Sequence, residues 1–541
     1  MGIYLNSADA LSLYKSETIK PYFVDKSNML EQLFPLVEEG SNYICITRPR
    51  RFGKTIMANM IGAFFSNAAD SKDVFDKLKI ASSTNYLRHL NQHDVIYIDF
   101  SEIDDECRNY TSYIRNIKEL LREDLHNAYP EVTFRDNSSV SEDLKRIYAV
   151  TGKKFIFVLD EWDAIFHVAF TKDKDKIAFL RFLRGLLKGK AYVSLAYMTG
   201  ILPIAKYSSG SELNMFTEFT MAKSPAFSDY FGFTEHEVDD LYQRYLTLTP
   251  NPLIEREGLK TWYNGYCTAS GERVYNPRSV VQALRFNHLE SYWTSSGPFD
   301  EIFYYIEKNV ADVRDDLAYM VAGEAVPAKI QEYAATSMNL QTKDEIFSAM
   351  VVYGFLSYED GRVSIPNKEL MDKFADMLQK ENSLGYVYRL AKESDRMLKA
   401  TLDGDTSTMI DILEYAHDTE VPLLSYNHET ELTAIVNLVY LSARDRYRVE
   451  REDKAGVGYV DFIFYPQTDK NADCIILELK VDSTPDIAIA QIKEKQYTLR
   501  FSGKLGEQNI YTGRILAVGI SYDRNIKKHD CKIEVLRNRI I

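Results

Sequence analysis

The sequence predicts an α/β chain: an N-terminal unit on a parallel sheet, helical and winged-helix-like segments after it, and a small α/β unit at the end. Three observations carry this. Four short runs, "YICIT" (43–47), "VIYIDFS" (95–101), "FIFVLD" (155–160) and "YVSLAYMTG" (192–200), are nearly continuous in apolar residues, as strands buried on both faces of a sheet must be. Helical spacing between them, as in "YIRNIKELLREDL", makes a βαβ series, which demands parallel strands. Finally, 541 residues with 45% hydrophobic and 27% charged content are too many for one ordinary soluble domain.

In chain order, residues 1–230 form the sheet unit. "FTEHEVDDLYQRYL" opens a helical region over 231–300, with Thr234 as N-cap and Glu237 three residues on. Residues 301–375 contain "DEIFSAMVVYGFLSYEDGRVSIPNKELMDKF", which reads helix, strand, Asp360-Gly361 turn, strand, helix. An Asp-Gly pair between apolar runs is a strong two-residue hairpin signal, so this segment is winged-helix-like. It carries little basic character, which favours packing over DNA binding. Residues 376–420 read as an acidic helical connector, and 421–541 as the terminal α/β unit.

Composition narrows the setting. No apolar run approaches the roughly 20 residues that span a bilayer, and the start has no basic stretch followed by an apolar core. Cys45, Cys107, Cys267, Cys474 and Cys531 are scattered and never paired as CxxC, which speaks against disulfides and structural zinc. A cytoplasmic protein without a membrane partner is expected. Net charge is −14, yet from Val421 onward 18 Lys and Arg stand against 17 Asp and Glu. The acidic surplus lies outside the last unit, which leaves a phosphate-facing surface open there.

"RPRRFGKT" (48–55) follows the first strand and opens a helix. A phosphate-cradling loop needs inward backbone N–H groups, a lysine for the β- and γ-phosphates and a hydroxyl for Mg²⁺. Gly53, Lys54 and Thr55 meet those needs, and Arg48 stands where the first glycine is usual. Arg48, Pro49, Arg50, Arg51, Phe52, Gly53, Lys54 and Thr55 are the nucleotide-binding candidates, with Arg48, Arg50 and Arg51 expected to add charge beside the phosphates. The third strand ends in Asp160-Glu161. An aspartate there supports Mg²⁺ together with Thr55, and an adjacent glutamate activates the attacking water. Thr199 ends the next strand at the same edge, where ligands of open α/β sheets bind, and is a candidate γ-phosphate sensor. ATP and Mg²⁺ are the implied cofactors.

With these phrases in place, the chain resembles bacterial AAA-like P-loop ATPases fused to a C-terminal nuclease of the PD-(D/E)XK superfamily. "PYFVDKS" (21–27), "TRPRRFGKT", "LDEWDAIF", "TGILPIAK", "FGFTEHEV", "WYNGY" (262–266), "VYNPRSV" (274–280) and "IPNKEL" (365–370) are similar to that family's signatures. The resemblance implies ATP-dependent switching and a restriction-endonuclease-like terminal domain.

The terminal unit carries matching chemistry. "GYVDFIFYP" places Asp461 opposite Phe462 and Phe464, and "CIILELK" projects Glu478 and Lys480 from one face. Asp461 and Glu478 can meet across neighbouring strands to ligate Mg²⁺, and Lys480 can orient water and stabilise charge on a phosphate. By resemblance Glu429 is the helix glutamate of such a site, with Glu431 as the close alternative. Gln491 is a weak candidate and Tyr497 reads as core. The implied substrate is nucleic acid, DNA foremost, entering along the basic C-terminal segment. The alternative is a nucleotide-dependent switch or scaffold whose last domain only binds a partner or nucleic acid. A homo-oligomer stays open: Arg181 and Arg184 are arginine-finger candidates, although a solvated helix face explains them more simply.

Overall fold

The computed structural model describes residues 2–204, 212–222, 224–293, 310–330, 340, 342–380, 384, 386–418, 429–455, 458–467, 469–495, 497–501 and 511–540. They divide into two compact units, residues 1–305 with 327–370 and residues 306–326 with 371–541.

The first unit is built on strands β1 (Asn42–Thr47), β2 (Asp94–Asp99), β3 (Phe155–Asp160), β4 (Val193–Gly200) and β5 (Thr217–Phe219), in the order β2-β3-β4-β1-β5. Every neighbouring pair is parallel. β3 and β4 are buried along their whole length, which is why their sequences show no alternation. The first four strands sit where the apolar runs predict. β5 is an addition, because its three residues "TEF" are too few to show a period. Helix α1 (Lys54–Phe65) follows β1 after the 48–53 loop, packs on β2, β3 and β4, and buries ten of its twelve residues. Phe64 and Phe65 join Leu33, Phe34, Ile156 and Leu195 in one core.

Beyond the sheet come α2 (Glu235–Leu248), α3 (Pro277–Phe286), α4 (Lys343–Tyr353), a hairpin of β6 (Ser357–Glu359) and β7 (Arg362–Ser364), and α5, which starts at Lys368. Thr234 and Glu237 cap α2 reciprocally, as expected. Asp360 and Gly361 both take positive φ, 46° and 79°, so the predicted tight turn is formed.

The second unit carries α6 (Glu429–Val439) and strands β8 (Tyr447–Ala455), β9 (Gly458–Pro466) and β10 (Cys474–Val481), then α7 (Pro485–Glu494), β11 (Ile515–Asp523) and β12 (Lys528–Arg537). The strands lie in sequence order, antiparallel except for β10 beside β11. α7 is the crossover that this single parallel pair requires, and it packs on both strands. Helix Val310–Val321, assigned from sequence to the winged segment, instead packs against α6 in this unit. Its buried Val313, Leu317, Met320 and Val321 supply the apolar face that this docking covers.

Candidate functional site

Residues 48–53 join β1 to α1 at the carboxyl edge of the sheet. Arg51 and Gly53 take left-handed φ, 69° and 90°, which costs the arginine of order 1 kcal/mol. Arg48 needs no such conformation, and its side chain departs from expectation. It is 2% exposed, its Nη1 donates to the carbonyls of Thr47 (2.8 Å) and Phe219 (2.7 Å), and its guanidinium lies 5.1 Å over the Phe231 ring. Arg48 therefore ties β5 and the following segment to β1, and its side chain is not among those lining the cleft at this sheet edge. Pro49 also turns away, packing against Gly354, and Phe52 is buried edge-on against Tyr266.

Arg50, Arg51, Gly53, Lys54 and Thr55 line a cleft of about 730 Å³. Lys54 is buried, donates to the carbonyls of Arg48 (3.1 Å) and Pro49 (3.2 Å), and lies 3.9 Å from Glu161 Oε1. Burial, then Arg278 and Arg50, push the Arg51 guanidinium pKa down. Four cationic groups thus converge where α1 presents its N-terminus, an arrangement that an anion relieves. Arg278 belongs to "VYNPRSV"; its basic type at the start of a helix was the signal, but only the fold brings it to the loop.

Asp160 is fully buried at the end of β3. Its carboxyl is pushed up to about 7 by burial, opposed by the Thr199 hydroxyl and raised further by Asp99 and Glu161; Thr55 also helps hold it charged. Thr199 donates to Asp160 Oδ1 and so holds that carboxylate at the sheet edge. Asp160 Oδ2 has no hydrogen-bond partner among the described residues. Glu161 lines the cleft on a left-handed turn, φ 48°.

Two further acids were missed from sequence. Asp99 ends β2 beside Asp160 in register and receives the N–H and hydroxyl of Ser101 on Oδ1 at 2.8 and 2.6 Å. Asp163 is buried, accepts the N–H groups of Ile201 (3.0 Å) and Leu202 (2.8 Å), and fixes the loop after β4. Arg181 and Arg184 are exposed on the helix Asp173–Leu187, whose other side is buried.

In the second unit the β9–β10 ladder runs from Phe464 beside Ile475 to Phe462 beside Leu477, which sets Asp461 next to Glu478. Asp461 Oδ2 accepts the Leu479 N–H at 2.7 Å. Glu478 is 2% exposed, and Lys480 Nζ donates to its Oε1 at 3.0 Å. Gln491, on α7, donates to the same oxygen, so the residue rated weak from sequence reaches the carboxylate. Tyr497 is core, as expected. Burial foremost, then the Asp461 charge, push Glu478 up to about 7, and Lys480 opposes them. Glu478 Oε2 has no hydrogen-bond partner among the described residues. Glu431 lies near Tyr319 of the helix Val310–Val321, whereas the Glu429 side chain falls outside the described residues.

Each centre thus pairs a buried carboxylate oxygen, left without a partner, with a second acid and a lysine. Leaving such an atom unpaired costs about 1–3 kcal/mol, and a hard divalent cation is the ligand that oxygen donors of this kind suit. Among the described residues no three carboxylate, imidazole or thiol side chains gather at one point, so each centre offers a pair of oxygen donors, the kind of partial set that a largely hydrated Mg²⁺ accepts.

Residues 15–209 match the family described as "Predicted AAA-ATPase", and residues 428–528 match the "PD-(D/E)XK nuclease superfamily". An uncharacterized protein encoded in the vnfD 5' region of Azotobacter chroococcum mcd 1 is 27% identical over 281 residues, 51% of each chain. The chain thus spans about half the length of this curated relative. Among solved structures, the Walker-type ATPase PABY2304 of Pyrococcus abyssi aligns over 64% of this chain and 94% of its own at 10% identity, TM-score 0.35. Cdc6p of Pyrobaculum aerophilum aligns over 69% and 98% at 12% identity, TM-score 0.27. The chain joins a region similar to predicted AAA-ATPases to a region similar to the PD-(D/E)XK nuclease superfamily.

Proposed function

We propose that the first unit binds and hydrolyses ATP with Mg²⁺, and that the second cleaves phosphodiester bonds of nucleic acid, DNA foremost, under control of the nucleotide state. The observation that carries this reading is the repeated constellation of a buried carboxylate oxygen without a partner, a neighbouring acid and a lysine.

In the first unit Lys54, Arg50, Arg51 and Arg278 receive the phosphates, and Thr55 with Asp160 would hold the metal. Bound there, Mg²⁺ supplies charge neutralisation at the β- and γ-phosphates. Thr199 and Thr55 keep Asp160 oriented. Glu161 lines the same cleft and takes the proton of the attacking water.

In the second unit Asp461 and Glu478 would hold the metal, with the helix glutamate Glu429 as a further ligand. Lys480 is in hydrogen-bond contact with Glu478 and can orient a water or steady the charge that develops on the scissile phosphate. Gln491 fixes the Glu478 rotamer from the side.

The test uses the full chain with Mg²⁺, linear and circular DNA, with and without ATP, beside Asp461→Ala and Lys54→Ala. Cleavage by the wild type, lost in Asp461→Ala and altered in its ATP response by Lys54→Ala, is the expected result. ATP hydrolysis without cleavage under any condition would leave the second unit a binding module and make the chain a nucleotide-dependent switch.

A further inference from the structure

Helix α3 forms one wall of the nucleotide cleft. Pro277, Arg278, Val281, Gln282 and Arg285 line it, while Ser279, Val280, Ala283 and Leu284 are buried on the other side. The division follows the helical period, so the cleft face is a continuous stripe. At 1.5 Å rise per residue, Gln282 sits about 6 Å along the axis from Arg278, and Arg278 is the end of the stripe whose charge reaches Arg51 of the phosphate loop. One helical turn is the span that a ribose bridges between phosphates and base.

The surroundings of that level suit a planar apolar ring. Tyr22, Phe23, Val24, Phe233 and Val281 line the same cleft. Tyr22 and Phe23 are held there from the helical region, because the Tyr22 hydroxyl meets the Leu284 carbonyl at 3.5 Å and Arg244 Nη1 donates to the Phe23 carbonyl at 2.8 Å. Amid these apolar groups Gln282 presents a carboxamide whose Oε1 is shielded from water and has no hydrogen-bond partner among the described residues. A rotation about its last torsion exchanges the oxygen and the amino group, so either end can turn into the cleft.

We propose that Gln282 reads the nucleobase, accepting a hydrogen bond from an exocyclic amino group and donating to the adjacent acceptor nitrogen, and so selects adenine nucleotides. This rests on the reading of the cleft as a nucleotide site. A carboxamide matches an amino group beside a ring acceptor, the pattern of adenine. Guanine and uracil offer a carbonyl beside a ring N–H on that edge. They are met only with the carboxamide turned the other way, its oxygen on the ring N–H and its amino group on the carbonyl, so GTP or UTP bound as tightly as ATP overturns the choice of adenine. Cytosine shares the amino-and-acceptor edge, and the apolar walls favour the larger adenine ring.

The experiment measures equilibrium binding of ATP, CTP, GTP, UTP and purine riboside triphosphate, which lacks the 6-amino group, to the full chain and to Gln282→Leu and Gln282→Glu. Wild type is expected to hold ATP about 10-fold tighter than the desamino analogue, the worth of one hydrogen bond whose loss strands a shielded acceptor. Gln282→Leu should bind the two alike, and Gln282→Glu, which still accepts from the amino group, should keep part of the preference. Wild-type binding of all five triphosphates with equal affinity, or a Gln282→Leu protein that keeps the ATP preference, overturns the assignment while leaving the nucleotide site standing. CTP bound as tightly as ATP overturns the choice of adenine. Failure of every triphosphate to bind overturns the nucleotide reading itself and this inference with it.

Discussion

Arg48→Met separates a structural from a phosphate-binding role for the residue at the place of the first glycine. Methionine keeps the apolar stem and removes the guanidinium. Lost are two charged hydrogen bonds, to Thr47 and Phe219 at 2.8 and 2.7 Å, each worth about 1.5–3 kcal/mol, and a cation–π contact worth about 1 kcal/mol. Regained is the cost of keeping a charge out of water, several kcal/mol. These nearly offset, and the residue of the account is the Thr47 carbonyl left buried and unpaired, about 1–3 kcal/mol. The expected loss is therefore about 2 kcal/mol, seen as a lower urea midpoint and faster proteolysis near β5. ATP affinity measured well below the midpoint should stay within about threefold. Arg50→Ala is the converse: its side chain lines the cleft, so ATP binding weakens while the midpoint holds. An Arg48→Met protein with an unchanged midpoint and a tenfold loss of ATP affinity would refute the reasoning.

Two more predictions concern protons and packing. Glu478, pushed up to about 7, holds a proton in the folded metal-free protein between its ordinary value near 4.5 and 7, where the unfolded chain does not. That contribution to stability is complete below about 4.5 and is lost as pH rises through 7. Mg²⁺ must displace the proton, so its apparent affinity should climb up to tenfold per pH unit until about 7 and then level off; melting with and without Mg²⁺ at pH 5 to 8 reads this, and a Glu478→Gln protein with the same slope contradicts it. At Gly265, φ is +110° and a Cβ would sit 1.9 Å from the Pro366 carbonyl oxygen, so Gly265→Ala should cost about 3 kcal/mol. Gly271→Ala, with φ +82° and no atom within 4 Å, should cost only about 1 kcal/mol; equal urea midpoints for the two variants would sink the argument.

What the sequence made legible is what short-range physics determines. Four of the five sheet strands, the α2 cap and the Asp360-Gly361 turn follow from apolar runs, a capping pair and a two-residue turn, each complete within a few residues. Side-chain direction in the 48–53 loop was not legible, because it depends on partners over 150 residues away: Phe219 and Phe231 for Arg48, Gly354 for Pro49, Tyr266 for Phe52. Asp99 escaped notice for the same reason, since its place beside Asp160 comes from strand order, not spacing. Gln491 was underrated because its reach to Glu478 is made by the crossover of α7, which a helical-face argument relative to Tyr497 does not capture. The unit to which helix Val310–Val321 attaches is likewise a matter of tertiary burial.

The loop's arginine-rich form has a physical explanation in how its residues alternate. Arg50 and Arg51 go to the cleft, Arg48 and Pro49 go to the opposite side, and Phe52, which also borders the cleft, sets its ring edge-on against Tyr266. There "WYNGY", "VYNPRSV" and "IPNKEL" form one buried junction. Gly265 abuts Pro366, and Ser279 Oγ donates to Glu369 Oε2 at 2.8 Å. Glu369 Oε1 also accepts the N–H groups of Tyr292 and Trp293, each at 2.7 Å. Glu369 is fully buried, a position tolerated only because these donors satisfy it. The junction holds the start of α3, and so Arg278, while Tyr266 and Gly354 press on the loop from behind. A loop shaped by glycine freedom needs no such support; a loop shaped by Arg48, Pro49 and Phe52 needs all of it. A displacement of the loop would therefore be felt at the junction, and this packing is the physical tie between these three phrases and the cleft.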